Sequence, residues 1–240
     1  MQVPVALAAA TLAALVVGCG GSSGGTLPEG AEPVELDPAD FTSEIDNPWL
    51  PLRTGARWVY RESATEGSVQ RVEVTVLDQT KVVMGIEVRV VHDVVTEDGE
   101  LVEDTFDWYA QDAHGNVWYF GEETKEFEDG EVSTTAGSWE AGVDGAQPGV
   151  LIPADPEVGV AYRQEYYEGE AEDAAQVLSL DEKVQVPYGG FEGVLMTKDY
   201  TPLEPEVLEH KFYARDVGLV LALSISGGSG REELVELTTP

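Results

Sequence analysis

Three histidines, His92, His114 and His210, are the side chains in this sequence best suited to proton transfer or metal binding near neutral pH. Alternation along two predicted strands puts His92 and His210 on the apolar faces of those strands, so we expect both to point into one β interior. There the pair could bind a metal ion or act as acid and base. Alternatively, each is a core histidine hydrogen-bonded to a neighbour. His114 is most simply a turn residue.

Carboxylates are concentrated in two places, and clustered carboxylates suit Ca²⁺. The denser cluster lies within residues 165–173 and consists of Glu165, Glu168, Glu170, Glu172 and Asp173. The other surrounds a predicted hairpin over residues 98–107. Neither has the spacing of an EF-hand loop, and solvated acidic edges that block strand-to-strand aggregation are the alternative explanation. Calcium is therefore the one cofactor that the sequence suggests, and otherwise none is expected.

Aromatic residues form the densest feature of the sequence. If some of the rings face a concavity, they would line a site for a lipid, a glycan or another apolar ligand. If they pair across strands instead, they stabilise the sheet by themselves. The candidate ligand-binding residues are Trp108, Trp118, Phe120, Trp139 and Tyr166, together with His92 and His210. The Gly- and Pro-rich segment 137–156 is predicted to be an ordered loop that covers an edge or a mouth of the sheet.

A serine hydrolase finds little support, because Ser138 and Ser229 do not lie in the G-x-S-x-G turn that exposes such a nucleophile. No catalytic residue is assigned. The enzyme alternative is limited to His92 and His210 acting beside a carboxylate.

These candidates must be positioned by strands. Apolar and polar residues alternate with period two over residues 71–76 and 86–90, which is typical of half-buried strands. Residues 208–213 and 217–225 form another predicted pair. Turn sequences such as Asp98-Gly99 and Asp129-Gly130 separate the strands, which predicts an antiparallel all-β architecture. Residues 170–180 fit either two helical turns or a strand.

The amino-terminal residues indicate export. Residues 1–18 contain no Asp, Glu, Lys or Arg, and their apolar core over 5–17 is shorter than the roughly 20 residues that span a bilayer. This pattern is typical of a cleaved secretion signal. The stretch Val16-Val17-Gly18-Cys19 resembles the lipobox of bacterial lipoproteins. That resemblance implies cleavage before Cys19, a diacylglycerol on its thiol, and an extracytoplasmic protein anchored to a bacterial membrane. An ordinary signal peptide with an accidental cysteine is the alternative.

The rest of the chain divides into two parts. Residues 19–40 are acidic and contain several prolines, so we expect a flexible tether. Residues 41–240 are predicted to be a single β-rich domain. Because Cys19 is the only cysteine, this domain has neither disulfides nor thiol chemistry.

The charge excludes one class of partner. With 46 acidic residues against 13 basic ones, the formal net charge is −33, whereas a nucleic-acid-binding protein needs a basic surface. The same charge argues against docking of the domain itself on anionic lipid. It is explained either by solubility of an extracellular surface or by cation binding.

The ends of the predicted domain carry a second resemblance. Pro51-Leu-Arg-Thr-Gly-Ala-Arg-Trp-Val-Tyr60 and Phe212-Tyr-Ala-Arg-Asp-Val-Gly-Leu-Val220 resemble segments of a broad set of uncharacterised bacterial envelope proteins. The resemblance implies a strongly curved antiparallel sheet or an incomplete β-barrel with little helix.

The sequence therefore predicts a lipid-anchored module that binds a small amphipathic ligand or an envelope partner protein. A structural or interaction lipoprotein without a small ligand is the first alternative, and a hydrolase-type enzyme that uses His92 and His210 is the second. The sequence leaves the oligomeric state open.

Overall fold

A computed structural model describes residues 27–63, 67–228 and 230–240 of the chain. The predicted signal peptide and Cys19 lie outside the described residues. No helix within the described ranges is long and apolar enough to cross a membrane. The described chain forms one short 3₁₀ helix, Pro38–Asp40, and sixteen strands.

The strands of the first half are β1 (Phe41–Thr42), β2 (Arg57–Ser63), β3 (Val69–Val83), β4 (Ile86–Glu97), β5 (Glu100–Asp112), β6 (Val117–Glu128), β7 (Glu131–Thr134) and β8 (Trp139–Glu140). Those of the second half are β9 (Gln147–Ile152), β10 (Ala161–Arg163), β11 (Glu165–Tyr166), β12 (Ala174–Val186), β13 (Gly189–Tyr200), β14 (Leu208–Ala214), β15 (Gly218–Ser226) and β16 (Arg231–Thr238).

All the strands belong to one antiparallel sheet, in the order β10-β12-β13-β14-β15-β16-β2-β3-β4-β5-β6-β9-β11, with β1 added to β5 and with β7 and β8 added to β6. The last strand pairs with β2, so strands from the first and last parts of the domain are neighbours in the middle of the sheet. The predicted all-β fold with a curved antiparallel sheet is confirmed. Three of the predicted strands lie within β3, β4 and β14, and the fourth, 217–225, begins one residue before β15. Residues 174–186 form a strand rather than a helix.

One short segment brings the two edges of the sheet together. Ala161–Arg163 pairs with β12 at one edge, and Glu165–Tyr166 pairs with β9 at the other. The edges are so close that a Cβ atom added to Gly149 in β9 would collide with the backbone of Gln164. Arg163 also donates from Nη2 to the carbonyl of Pro148 in β9, at 2.9 Å. The sheet is therefore a nearly closed barrel with its seam at residues 161–166.

The amino-terminal segment crosses one end of this barrel. The side-chain amide of Asn47 donates to the carbonyl of Gly115, in the turn between β5 and β6. The amide of Asp216, in the turn between β14 and β15, donates to the carbonyl of Pro48 at 2.7 Å. Because these turns belong to distant parts of the sheet order, the segment spans the barrel and covers that end.

The second half of the expected tether also packs on the domain. Leu27, Val34 and Leu36 lie against the larger hydrophobic cluster. Arg163 is buried and donates from Nη1 to the carbonyls of Gly30 and Glu32, at 2.6 and 2.8 Å. Residues 27–36 are thus bound to the barrel, so the flexible tether predicted over residues 19–40 is wrong for this part, and residues 19–26 lie outside the described residues.

Candidate functional site

The inner face of the barrel encloses a cavity of about 440 Å³. Strands β2 to β5 and β14 to β16 form most of its wall, because the residues of matching register on these strands point to the same side. Its apolar lining includes Leu50 and Leu52 from the amino-terminal segment, Leu151 from β9, and Val72, Val91 and Leu219 from the sheet. One end of the cavity is therefore apolar and covered.

Ionisable side chains line the remainder of the cavity. The acids are Glu62, Asp93, Asp107, Glu209 and Glu232, and the single base is Lys211. All six are half-buried. A cavity with such an excess of acids has a strongly negative interior.

Two pairs of acids on this inner face stand directly opposite each other on neighbouring strands. Glu232 of β16 is opposite Glu62 of β2, and Asp107 of β5 is opposite Glu122 of β6. Like charges in this position repel each other. Burial and then the charge of Glu62 raise the pKa of Glu232 to about 7. Burial and then the charge of Asp107 raise the pKa of Glu122 to about 8. The site therefore favours uptake of positive charge, either as protons or as a cation.

Tyr119 connects one of these pairs. Its hydroxyl oxygen lies 2.7 Å from Asp107 Oδ1 and 3.0 Å from Glu122 Oε2. One hydroxyl has one proton to donate, so it can fully satisfy only one of the two acids at a time. Burial raises the pKa of Asp107 to about 6, and hydrogen bonds from Tyr119 and Tyr109 limit this rise because they favour the ionised form. Tyr119 thus links the two carboxyl groups, and its hydrogen bonds favour the ionised form of each.

Asp93 has a side-chain oxygen that no hydrogen-bond donor of the described residues satisfies. The residue is half-buried, but its Oδ1 atom is inaccessible to solvent and has no hydrogen-bond partner among the described residues. Burial, followed by the charge of Asp107, raises the pKa of Asp93 well above its ordinary value. A buried carboxylate oxygen without a donor is costly. Asp93 therefore has a free acceptor at the cavity wall.

The one base of the cavity is already paired. Lys211 Nζ lies 3.2 Å from Asp199 Oδ2 and 3.9 Å from Glu209 Oε2. Burial lowers the pKa of Lys211, but Asp199, Tyr213 and Glu209 raise it by more, so the amine stays charged. Because Asp199 is itself buried, the ammonium group mainly compensates that residue. It leaves the acids farther along the cavity without a cation.

A second cavity, of about 670 Å³, lies at the ends of β12, β13 and β14, beside residues 30–31. Its lining includes Arg163, Glu165, Tyr166, Asp173 and Lys198. Burial, followed by the charges of Asp173 and Glu122, raises the pKa of Glu165 to about 8. Basic and acidic side chains are more evenly balanced here than in the first cavity.

The structure does not bring the histidines together. His92 lies between Val91 and Asp93, which both line the first cavity, so its side chain is on the opposite face. There it stacks on Phe106 at 4.3 Å and contacts Asp104 Oδ1 at 2.5 Å. His210 faces outward for the same reason, and β14 and β4 are separated by four strands. His114 lies in the turn between β5 and β6.

Most of the candidate aromatic residues are core residues. Trp108, Trp118, Phe120 and Trp139 are buried in the larger hydrophobic cluster, and none of them lines either cavity. Tyr166 differs, because it lines the second cavity. The segment 137–156 contributes β8 and β9 to the sheet, and its Leu151 reaches the first cavity.

The acids of residues 165–173 are divided by the fold. Glu165, Glu172 and Asp173 line the second cavity, whereas Glu168 and Glu170 are exposed. Among the described residues, no group of three or more His, Cys, Asp or Glu side chains is arranged to hold a metal ion.

The inner acids Asp93, Glu122, Glu209 and Glu232 were not singled out in the sequence. At Asp93 the local pattern pointed the other way, because Asp93 alternates with Glu87 and Arg89 along β4 and so continues a largely polar face. The other acids could not be identified from the sequence, because the residues that surround them lie on neighbouring strands that are distant in sequence.

No family model matches this chain, and no curated protein matches it. Two solved structures are similar in shape. One is a Bacteroides fragilis protein, provisionally described as exported and with a YmcC-like fold, which has a TM-score of 0.48 and 14% identity over 80% of this chain and 99% of that one. The other is a Parabacteroides distasonis protein, provisionally described as a lipoprotein, with a TM-score of 0.44 and 12% identity over 79% and 98%. Similarity at this level carries no information about function.

Proposed function

We propose that this chain is an extracytoplasmic binding module, anchored to a bacterial membrane through a lipid on Cys19, which holds a small amphipathic ligand inside its barrel. The observation that carries the proposal is the cavity of about 440 Å³ on the inner face of the sheet. Pockets for small molecules have volumes of roughly 300–1,000 Å³. A barrel that served only as a spacer would be expected to have a filled interior.

The lining of the cavity supports an amphipathic ligand. Leu50, Leu52 and Leu151 supply apolar surface at the covered end. Glu62 and Glu232 lie toward the other ends of their strands and supply polar atoms there. A ligand with an apolar body and a polar head would contact both regions at once.

Native mass spectrometry of the full chain, purified from its own host, tests the proposal. We expect a retained mass of a small organic molecule. The variant Ala222→Phe should lose this mass, because Ala222 lines the cavity and the added ring would occupy it. Val82→Phe is the matched control, since Val82 is 65% exposed on β3. A wild-type protein without a ligand would contradict the proposal and favour the structural or interaction alternative.

A further inference from the structure

We propose that the ligand of the inner cavity is an organic cation with an ammonium head and an aliphatic body. This inference rests on the proposed function, since it names the chemical class of the ligand in the same cavity. It is argued from the balance of charges, the unpartnered oxygen of Asp93 and the apolar end of the cavity.

The charge balance of the cavity favours binding of a cation. Five acids line it, and the only base is Lys211, which is 3.2 Å from the buried Asp199. Glu62, Asp93 and Glu232 form no ion pair among the described residues. An ammonium group in the cavity would be attracted by several carboxylates in a region where water screens poorly.

The arrangement of the acids supports the same conclusion. Glu62 and Glu232 are directly opposite on neighbouring strands, as are Asp107 and Glu122. Two carboxylates in this position repel each other, so in the empty protein each pair favours holding a proton. A cation between or beside them replaces this repulsion with attraction, so the arrangement stabilises the ligand-bound form specifically.

Asp93 supplies an acceptor for the ammonium group. Its Oδ1 atom is buried, no described residue donates to it, and the residue lines the cavity. Rotation of the carboxyl group would turn this oxygen toward the cavity, where an N–H group of the ligand would satisfy it, and hydrogen bonds between two charged groups are the stronger kind. Because Val91 lies on the same face of β4, the atoms next to the ammonium group would meet an apolar wall.

An organic cation fits the cavity better than a metal ion. The acids are spread over several strands, and no three of the metal-ligating side chains in the described ranges are arranged around one point. The apolar end, formed by Leu50, Leu52 and Leu151, offers no ligand atoms to a bare ion. An aliphatic body would bury that surface, which contributes to affinity.

Three probes of equal chain length test the proposal. Octylamine, octanol and octanoate are titrated into the full chain in lipid nanodiscs, with empty nanodiscs as the blank, and the heat of binding is measured. We expect octylamine to bind at least about tenfold more tightly than octanol, which corresponds to ~1.4 kcal/mol, and octanoate to bind most weakly.

Variants locate the head group. Asp93→Asn and Glu232→Gln should each weaken octylamine binding about tenfold and leave octanol binding unchanged, because only the charge on the wall is altered. Glu100→Gln is the matched control, since Glu100 is an exposed acid at the start of β5. Urea unfolding shows whether each variant is folded. If Asp93→Asn does not fold, the octylamine affinity of Glu232→Gln tests the position of the head group.

The outcomes separate this inference from the proposed function. If octanol binds as tightly as octylamine, the cavity binds apolar ligands without regard to charge, and the inference of a cationic ligand is refuted. If octanoate binds most tightly, Lys211 selects the ligand and the cation is again refuted. If no probe binds, the inference that the ligand is an organic cation is refuted. A ligand mass retained by the host-purified protein would still support the proposed function.

Discussion

Glu122→Gln should remove part of the pH dependence of stability. Glu122 lies on the inner face of β6, where Tyr119 Oη is 3.0 Å from its Oε2 atom. Burial and the nearby charges of Asp107, Glu103 and Asp173 raise its pKa from 4.5 to about 8, against the lowering effect of the hydrogen bond with Tyr119. The glutamine side chain has the size of the acid and an oxygen that can accept from Tyr119, but it does not titrate.

The sign and size of the effect follow from linkage. Because the folded state binds the proton of Glu122 more tightly, its contribution to the free energy of unfolding is fully present below pH 4.5. This contribution falls as the pH rises towards 8. At ~1.4 kcal/mol per pKa unit, the ceiling for this loss is about 5 kcal/mol. Glu122 is only half-buried and solvent screens part of the interaction, so we expect a loss of about 1–2 kcal/mol.

Urea unfolding, followed by tryptophan fluorescence at pH 5 and pH 8, measures this contribution. Urea is uncharged and leaves the electrostatic interactions unscreened. The wild-type protein should lose stability between the two pH values, and Glu122→Gln should lose about 1–2 kcal/mol less. Glu128→Gln on the same strand is the control, because Glu128 is exposed. Equal losses in wild type and Glu122→Gln would refute the reasoning about this buried acid.

Three further predictions concern the seam, the amino-terminal segment and the anchor. Gly149→Ala should destabilise the barrel by about 3 kcal/mol or more in urea unfolding, because its Cβ would meet the backbone of Gln164. Gly189→Ala, which has open space, should change little. Arg163→Met should cost about 2–3 kcal/mol, since three carbonyls lose their donor, and should open residues 27–36 to proteases. Unchanged proteolysis would contradict that role. Cys19→Ala should abolish labelling with a radioactive fatty acid, and continued labelling would exclude the lipobox.

Local patterns were sufficient to predict the strands. Period-two alternation identified parts of β3, β4, β14 and β15, because one face of each strand packs against apolar residues. Glycine turns located several hairpins for a similar reason, since positive φ angles such as that of Asp98 are needed where the chain reverses. Of the ambiguous segment 170–180, residues 174–180 became part of β12, because β13 supplies the hydrogen-bond partners of that strand. That choice depends on tertiary structure.

The candidate site shows the limit of such patterns. The sequence singled out His92 and His210 on alternating faces, but a strand does not tell which of its faces will line a cavity. In the structure, His92 and His210 lie on the faces opposite to the cavity lining. The aromatic cluster was recognised, yet most of its rings fill the core rather than a site.

The sequence by itself therefore determined the β class of the domain, its acidic charge and the prediction of export, because these depend on composition or on residues close together in the chain. Tertiary structure alone decided where the barrel closes, since residues 161–166 pair with strands of both edges. It also decided that Glu232 stands opposite Glu62, because strand pairing joins residues that are far apart in sequence. A cavity is a property of such pairings, and no local pattern contains it.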